Sequence, residues 1–165
     1  MIKEAISREL KEALEGSDKR RACTLRLIKT AIKDRENAAR EAGKDGLSDS
    51  DVFDILHKMI DQRIISTRAY EETGKLDFVD QEQQEIAIIK SFLPYQLNEN
   101  EMAHACEDVV SDLGARGLKD IGRTMTALKE RYPGQMDFGR ANKVVRKILE
   151  RPAVTMNGVE NNSAQ

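Results

Sequence analysis

The sequence predicts an all-α protein: an N-terminal hairpin or bundle of long helices, followed by a small three-helix C-terminal domain. Three observations carry this prediction. Apolar residues recur at three- and four-residue spacing along most of the chain, and no stretch alternates apolar with polar as a half-buried strand would. Only three prolines interrupt 165 residues. Ala, Glu, Lys and Leu, all good helix formers, are plentiful. The length suits one domain or two small ones, since a domain takes roughly 100–200 residues, and no internal repeat is visible.

The periodicity predicts seven helices. The first runs from about Ile2 to Leu14, with Ile6, Leu10, Ala13 and Leu14 on one side, and Gly16 with Ser17-Asp18 breaks it. The second runs from about Lys19 to Ala42 on Leu25, Ile28, Ala31, Ile32 and Ala39, and Gly43 and Gly46 open a loop after it. Ser48 reads as the N-cap of the third, with Asp51 three residues on as a capping-box partner shortened from Glu. That helix carries Val52, Ile55, Leu56, Met59, Ile60 and Ile64, and Gly74 suits the position just past its end. The fourth runs from about Asp77 to Phe92, ending at Leu93 because Pro94 pushes its predecessor out of helical geometry. Asn98 with Glu101 caps the fifth, built on Met102, Ala105, Cys106, Val109, Val110 and Leu113. Asp120 is expected to cap a short sixth helix with Ile121, Met125 and Leu128. After the Pro133-Gly134 turn, Asp137 caps the seventh, with Phe138, Ala141, Val144, Val145, Ile148 and Leu149. The expected division is 1–93, 97–150 and a disordered tail over 151–165, where periodicity stops.

Composition excludes several classes of function. No apolar run approaches the ~18–20 residues needed to cross a bilayer, so no membrane role is expected. The start, MIKEAISREL, lacks an apolar signal core, which points to the cytoplasm. Cys23 and Cys106 stand far apart without a CxxC, arguing against zinc and against a disulfide scaffold. Phosphate-cradling glycine loops are missing, and SDSDVFD at 48–54 reads as an acidic, capped helix start rather than a metal loop. Neither His57 nor His104 has a Ser, Cys or Asp at relay spacing. Cys23, early in its helix near Arg20 and Arg21, is either an activated thiol or a small buried hydrophobe. The sequence therefore offers no catalytic residue, no metal site and no cofactor.

The net charge of −2 hides a strong asymmetry. Residues 1–40 carry +4, residues 41–114 carry −11 and residues 115–151 carry +6. Lys19, Arg26, Lys29, Lys33 and Arg40 fall within roughly 80° on a wheel of ~100° per residue. In the seventh helix Arg140, Lys143, Arg146 and Lys147 line the side opposite Ala141, Val144 and Ile148. Lys119 and Arg123 add charge where the first N–H groups of the sixth helix favour an anion. Cations repeated at one-turn spacing can track a phosphate backbone. The alternative is a solvated outer face, which many bundles have. The seven aromatic residues are scattered, so a base-stacking platform is not indicated. A bound RNA would be folded and read by shape and phosphates.

Four segments resemble the GatB/YqeY family, in particular its stand-alone YqeY-like members. They are LRLIKTAIKDRE (25–36), QRIISTRAYEETGKLDFVDQEQQEI (62–86), FLPYQL (92–97) and DIGRTM (120–125). NKVVRKIL (142–149) is similar to the family's closing helix. The resemblance spans nearly all of residues 1–150 and implies an N-terminal helical bundle with a C-terminal three-helix domain. In the B subunit of the tRNA-dependent amidotransferase that latter region is the tail contacting tRNA. On this resemblance Asp120, Gly122, Arg123 and Met125 fall on a family motif, with Gly122 expected to admit close approach of a neighbouring backbone. Any label of carbon–nitrogen ligase with glutamine as amido donor is implied by the larger subunit, whose cradle domain has no counterpart here. RYPG at 131–134 stands where relatives carry a more Lys/Gly-rich link.

The expectation is an accessory tRNA-binding module linked to glutamine-dependent tRNA amidation. Its partners would be tRNA and amidotransferase or aminoacyl-tRNA synthetase components. The alternative is a helical protein-interaction adaptor that binds no RNA, its acidic 41–114 segment and N-terminal hairpin engaging a basic partner or forming a homodimer. The isolated chain is not expected to turn over any substrate, because no acid, base and nucleophile converge.

Overall fold

Local sequence signals set the helix boundaries. The computed structural model describes residues 1–151, so the expected tail lies, beyond Arg151, outside the described residues. Within them are seven α-helices and one short 3-10 turn. Helix α1 is Ile2–Glu15 and α2 is Lys19–Glu41, whose cap Asp18 accepts the Arg21 N–H at 3.0 Å. Helix α3, Asp49–Glu72, opens on a complete capping box: Asp51 N–H donates to Ser48 Oγ at 3.1 Å, and Ser48 N–H to Asp51 Oδ2 at 2.9 Å. The shorter Asp therefore closes the box, and the Ser48 hydroxyl holds its carboxyl below the usual range.

Helix α4 is Leu76–Lys90. It stops short of the expected end, and Phe92 and Leu93 continue as a tight turn bonded to the carbonyls of Ile89 and Lys90. Helix α5, Glu99–Asp112, has a second capping box from Asn98 and Glu101. Helix α6, Ile121–Arg131, follows a 3-10 turn at Leu118–Asp120, and α7 is Phe138–Glu150, capped by Asp137 through the N–H groups of Gly139 and Arg140.

Two apolar clusters hold the fold. In the first, Ile6, Leu25, Ile28, Val52, Leu56 and Ile89 are wholly buried between α1, α2, α3 and α4. In the second, Cys106, Val109, Leu128, Met136, Ala141 and Val145 join α5, α6 and α7. Each fully buried Leu, Ile or Val contributes about 1.5–3 kcal/mol. Arg63 and Glu85 tie α3 to α4 at 3.0 Å, their side chains only 12% and 13% exposed, and Tyr70 stacks on Phe78 at 5.1 Å near the hairpin tip.

The turn after α6 joins the two clusters. Gly134 takes φ +69 and packs directly against the Phe53 ring of α3. Its carbonyl accepts from Gln96 Nε2 at 2.7 Å and lies 3.3 Å from His57 Nε2. Leu97 N–H donates to Gln135 O at 2.8 Å, and Lys129 pairs with Asp54 at 3.2 Å. The stretch 94–97 is thus tied to the 134–135 turn through Gln96 and Leu97, and that turn rests on α3.

Candidate nucleic-acid interface

Helix α7 is the most amphipathic surface with an unbalanced charge. Phe138, Ala141, Val145 and Leu149 are buried on one side. Arg140, Lys143, Arg146 and Lys147 are all exposed on the other. Among the described residues, none of the four lies within ion-pair distance of a carboxylate. Of the two acids that flank the ridge in sequence, Asp137 accepts the Gly139 and Arg140 N–H groups with one oxygen at 2.7 and 3.2 Å, and Glu150 is exposed at the far end of α7. The four cations span about 10 Å of helix at ~1.5 Å per residue, a compact positive ridge that makes no ion pair among the described residues, although the Asp61 carboxylate of α3 feels the charge of Arg140.

The DIGRTM segment is arranged differently from the sequence expectation. Asp120 does not cap α6 through its side chain. It accepts the Arg116 N–H at 2.6 Å and pairs with Arg123 at 3.3 Å, and these two contacts, in that order, hold its carboxyl low. A 3-10 turn precedes α6, which draws the Asp120 side chain back toward Arg116 instead of forward. The Asp120 carboxylate thus leaves the first N–H groups of α6 uncapped but takes up Arg123, the cation expected to meet an anion there. Lys119 is exposed and unpaired among the described residues. Gly122 does not admit a close neighbour: a Cβ there would meet nothing within 4 Å. Met125 packs half-buried against the second cluster. Lys129 and Arg131 are also engaged, with Asp54 at 3.2 Å and Asp112 at 2.5 Å, and Lys129 sits 5.4 Å over the Phe138 ring.

The second stripe is intact. Lys19, Arg26, Lys29, Lys33 and Arg40 are all exposed on α2, and no ion pair among the described residues involves them. The cations taken up nearby are others: Arg21 pairs with Glu9, and Lys3 with Glu36.

Side chains capable of covalent chemistry stand apart from one another. His104 Nδ1 bonds its own helix at Asn100 O, 2.8 Å away, and His57 contacts the Gly134 carbonyl. Cys23 is exposed, against the burial that its apolar-compatible helix position suggests, and Cys106 is buried, its thiol pushed up to about 11 by desolvation and then by Glu107. Among the described residues no three His, Cys, Asp or Glu side chains are placed to hold a metal ion.

Sequence reasoning missed the cleft of about 460 Å³ between α3 and α7, lined among others by Asp54, His57, Asp61, Lys129 and Asp137. Partial burial first, and then the Asp137 carboxylate, raise the Asp61 carboxyl above its ordinary range. Only the unusual RYPG turn hinted that the chain folds back there.

A family model described as "Yqey-like protein" matches residues 3–149. A curated relative, "Altered inheritance of mitochondria protein 41, mitochondrial" of Lachancea thermotolerans, is 34% identical over 88 residues. That match covers 53% of this chain and 46% of the relative. The protein of the same name from Vanderwaltozyma polyspora is 28% identical over 88 residues, with the same coverage. The matched stretch is thus less than half the length of these relatives. Among the described residues, no helix is long and apolar enough to cross a membrane.

Proposed function

This chain belongs to the Yqey-like protein family, and from that premise we propose that it is an accessory RNA-binding module, with tRNA as its substrate class and glutamine-dependent tRNA amidation as its setting. The observation that carries the reading is the α7 ridge. Arg140, Lys143, Arg146 and Lys147 are exposed on a helix whose opposite face is buried, and none is in an ion pair among the described residues. Phosphate oxygens would supply the missing counter-charge. The module grips a folded RNA by its backbone, while any amide transfer belongs to a partner enzyme, an amidotransferase or synthetase component. With an exposed thiol at Cys23 and a buried one at Cys106, a reducing compartment such as the cytosol suits the chain.

The test is affinity for a tRNA transcript across a salt series. Affinity should fall steeply with salt, about 0.7–0.9 in log–log slope for each phosphate contacted. Charge reversal at Arg140, Lys143 and Lys147 should weaken binding alike for different tRNAs. Absence of binding at low salt, or affinity indifferent to salt, rejects the reading.

A second reading has its own support. Ile65 and Leu76 are 67% and 70% exposed on the acidic α3–α4 hairpin, and Phe78 is half exposed. An adaptor would present this surface to a basic protein. Recovery of an amidotransferase or synthetase after nuclease treatment, lost on Ile65→Ser with Leu76→Ser, supports that role.

A further inference from the structure

We infer that α2 carries a second phosphate-binding face, so that the RNA is held from both halves of the molecule; this deepens the reading above and rests on it for the identity of the ligand. The first ground is geometric. Lys19, Arg26, Lys33 and Arg40 repeat every seven residues, and Lys29 lies between them on the same strip. At ~1.5 Å per residue the strip runs about 30 Å along the helix, far longer than the α7 ridge.

The second ground is how the neighbouring carboxylates are used. Every acid of α1 already has a cation: Glu4 the chain's N-terminal ammonium at 3.4 Å, Glu9 the Arg21 guanidinium, Glu12 the Arg8 side chain at 4.0 Å and Glu15 the Lys11 side chain at 3.8 Å. On the flank of the strip itself, Glu36 is closed off by Lys3 at 2.8 Å. Asp34 opens instead into the groove between α2 and α3. The α1 side of α2 is therefore left with an excess of positive charge that the fold does not satisfy.

The third ground is shape. Between α1 and α2 lies a groove of about 510 Å³ whose walls include Lys29, Lys33 and Arg40 together with Ser7, Thr30 and Asn37. The Lys3–Glu36 pair also lines it, and the Thr30 hydroxyl donates to the Arg26 carbonyl at 3.0 Å, which leaves the three cations with the Ser7 hydroxyl and the Asn37 amide as groups that phosphate and ribose oxygens accept from. An anionic membrane would need large apolar side chains beside the cations to insert between lipids. Here the apolar flank of the strip, Leu25, Ile28 and Ile32, is buried in the first cluster, and Leu27 is the one large apolar side chain of α2 that is half exposed. The surface is polar and linear, which suits a duplex backbone.

The experiment uses the full chain and an unmodified tRNA transcript. One variant carries Arg26→Glu, Lys33→Glu and Arg40→Glu; a gentler one carries Gln at the same three positions. A third reverses Arg140, Lys143 and Lys147. These side chains are exposed and unpaired among the described residues, so helical circular dichroism should be retained. Amine-reactive footprinting of the unaltered protein gives a readout independent of any variant. The α2 reversal should weaken binding at least about tenfold and lower the salt slope by about 2–3, and RNA should protect Lys29 and Lys33 but not Lys75 on the acidic hairpin.

If the α7 variant weakens binding while both α2 variants bind as the parent and Lys29 and Lys33 stay reactive, the α2 inference is overturned and the α7 reading stands. If the α2 variants weaken binding and the α7 variant does not, the inference holds and the α7 reading falls. Protection of Lys29 and Lys33 by phosphatidylserine vesicles or polyglutamate, but not by the transcript, overturns the inference that RNA is the occupant.

Discussion

The Gly134 backbone rests on the Phe53 ring: a Cβ added to Gly134 would lie 2.4 Å from Phe53 Cδ2. The same residue takes φ +69 and offers its carbonyl to Gln96 and to His57. One glycine thus carries a turn, a close approach and the acceptor that joins both halves.

Gly134→Ala should therefore destabilise the protein by more than the roughly 1–2 kcal/mol that left-handed backbone costs an L-residue, because the ring must also move. Denaturant unfolding measures the loss. Adding Phe53→Ala to Gly134→Ala should remove the clash component, so the double variant should lose less than the sum of the singles. Strict additivity would show that the ring contact contributes nothing.

Gly122 gives the opposite expectation. It lies inside α6 with open space where a Cβ would go. Gly122→Ala should stabilise the chain by up to about 1 kcal/mol, the helix-propensity difference, visible as a higher melting temperature. Lower stability would mean that the position is more confined than its surroundings indicate. A stabilised variant that binds tRNA more weakly would place the partner's backbone against this face.

Asp61 provides a pH dependence. Its carboxyl is raised by partial burial and by Asp137, and lowered less by Arg140 and His57. A carboxyl whose folded pKa is raised binds its proton more tightly when folded, so stability falls as pH climbs from the unfolded value near 3.8 through the folded value. Above that window the penalty is constant. Asp61→Asn should raise the melting temperature at pH 7, and the gain should vanish below the unfolded value. An equal gain at both pH values would assign the effect to something other than this titration.

The two thiols should separate cleanly. Cys23 is exposed and Cys106 buried, with its thiol raised to about 11. One equivalent of a thiol reagent should react with the native protein, at Cys23, and the second only after unfolding. Native labelling at Cys106 would mean that the second cluster opens readily.

The all-α class, the capped starts at Ser48 and Asn98, and the buried faces of α2 and α7 are legible in the sequence because each depends on residues within one or two turns. A capping box needs only positions three apart, and a buried stripe only a 3.6-residue period. The resemblance to the family was legible for a similar reason, resting on short uninterrupted segments such as FLPYQL and DIGRTM. The role first given to Asp120 shows the limit. Ser48 and Asp120 both read as cap residues, yet Asp120 turns back to Arg116 because a 3-10 turn precedes its helix.

What the chain alone determined, then, is where helices form, which face of each is oily and where like charges cluster. What the tertiary structure decided is which of those charges remain unsatisfied. Lys129 looks as available as Lys143 in the sequence, but Asp54, 75 residues away, takes it. Glu36 would blunt the α2 strip had Lys3, 33 residues away, not closed on it. The physical reason is range: helix-forming preferences act between near neighbours along the chain, whereas Coulomb attraction at about 3 Å acts between whatever side chains packing brings together.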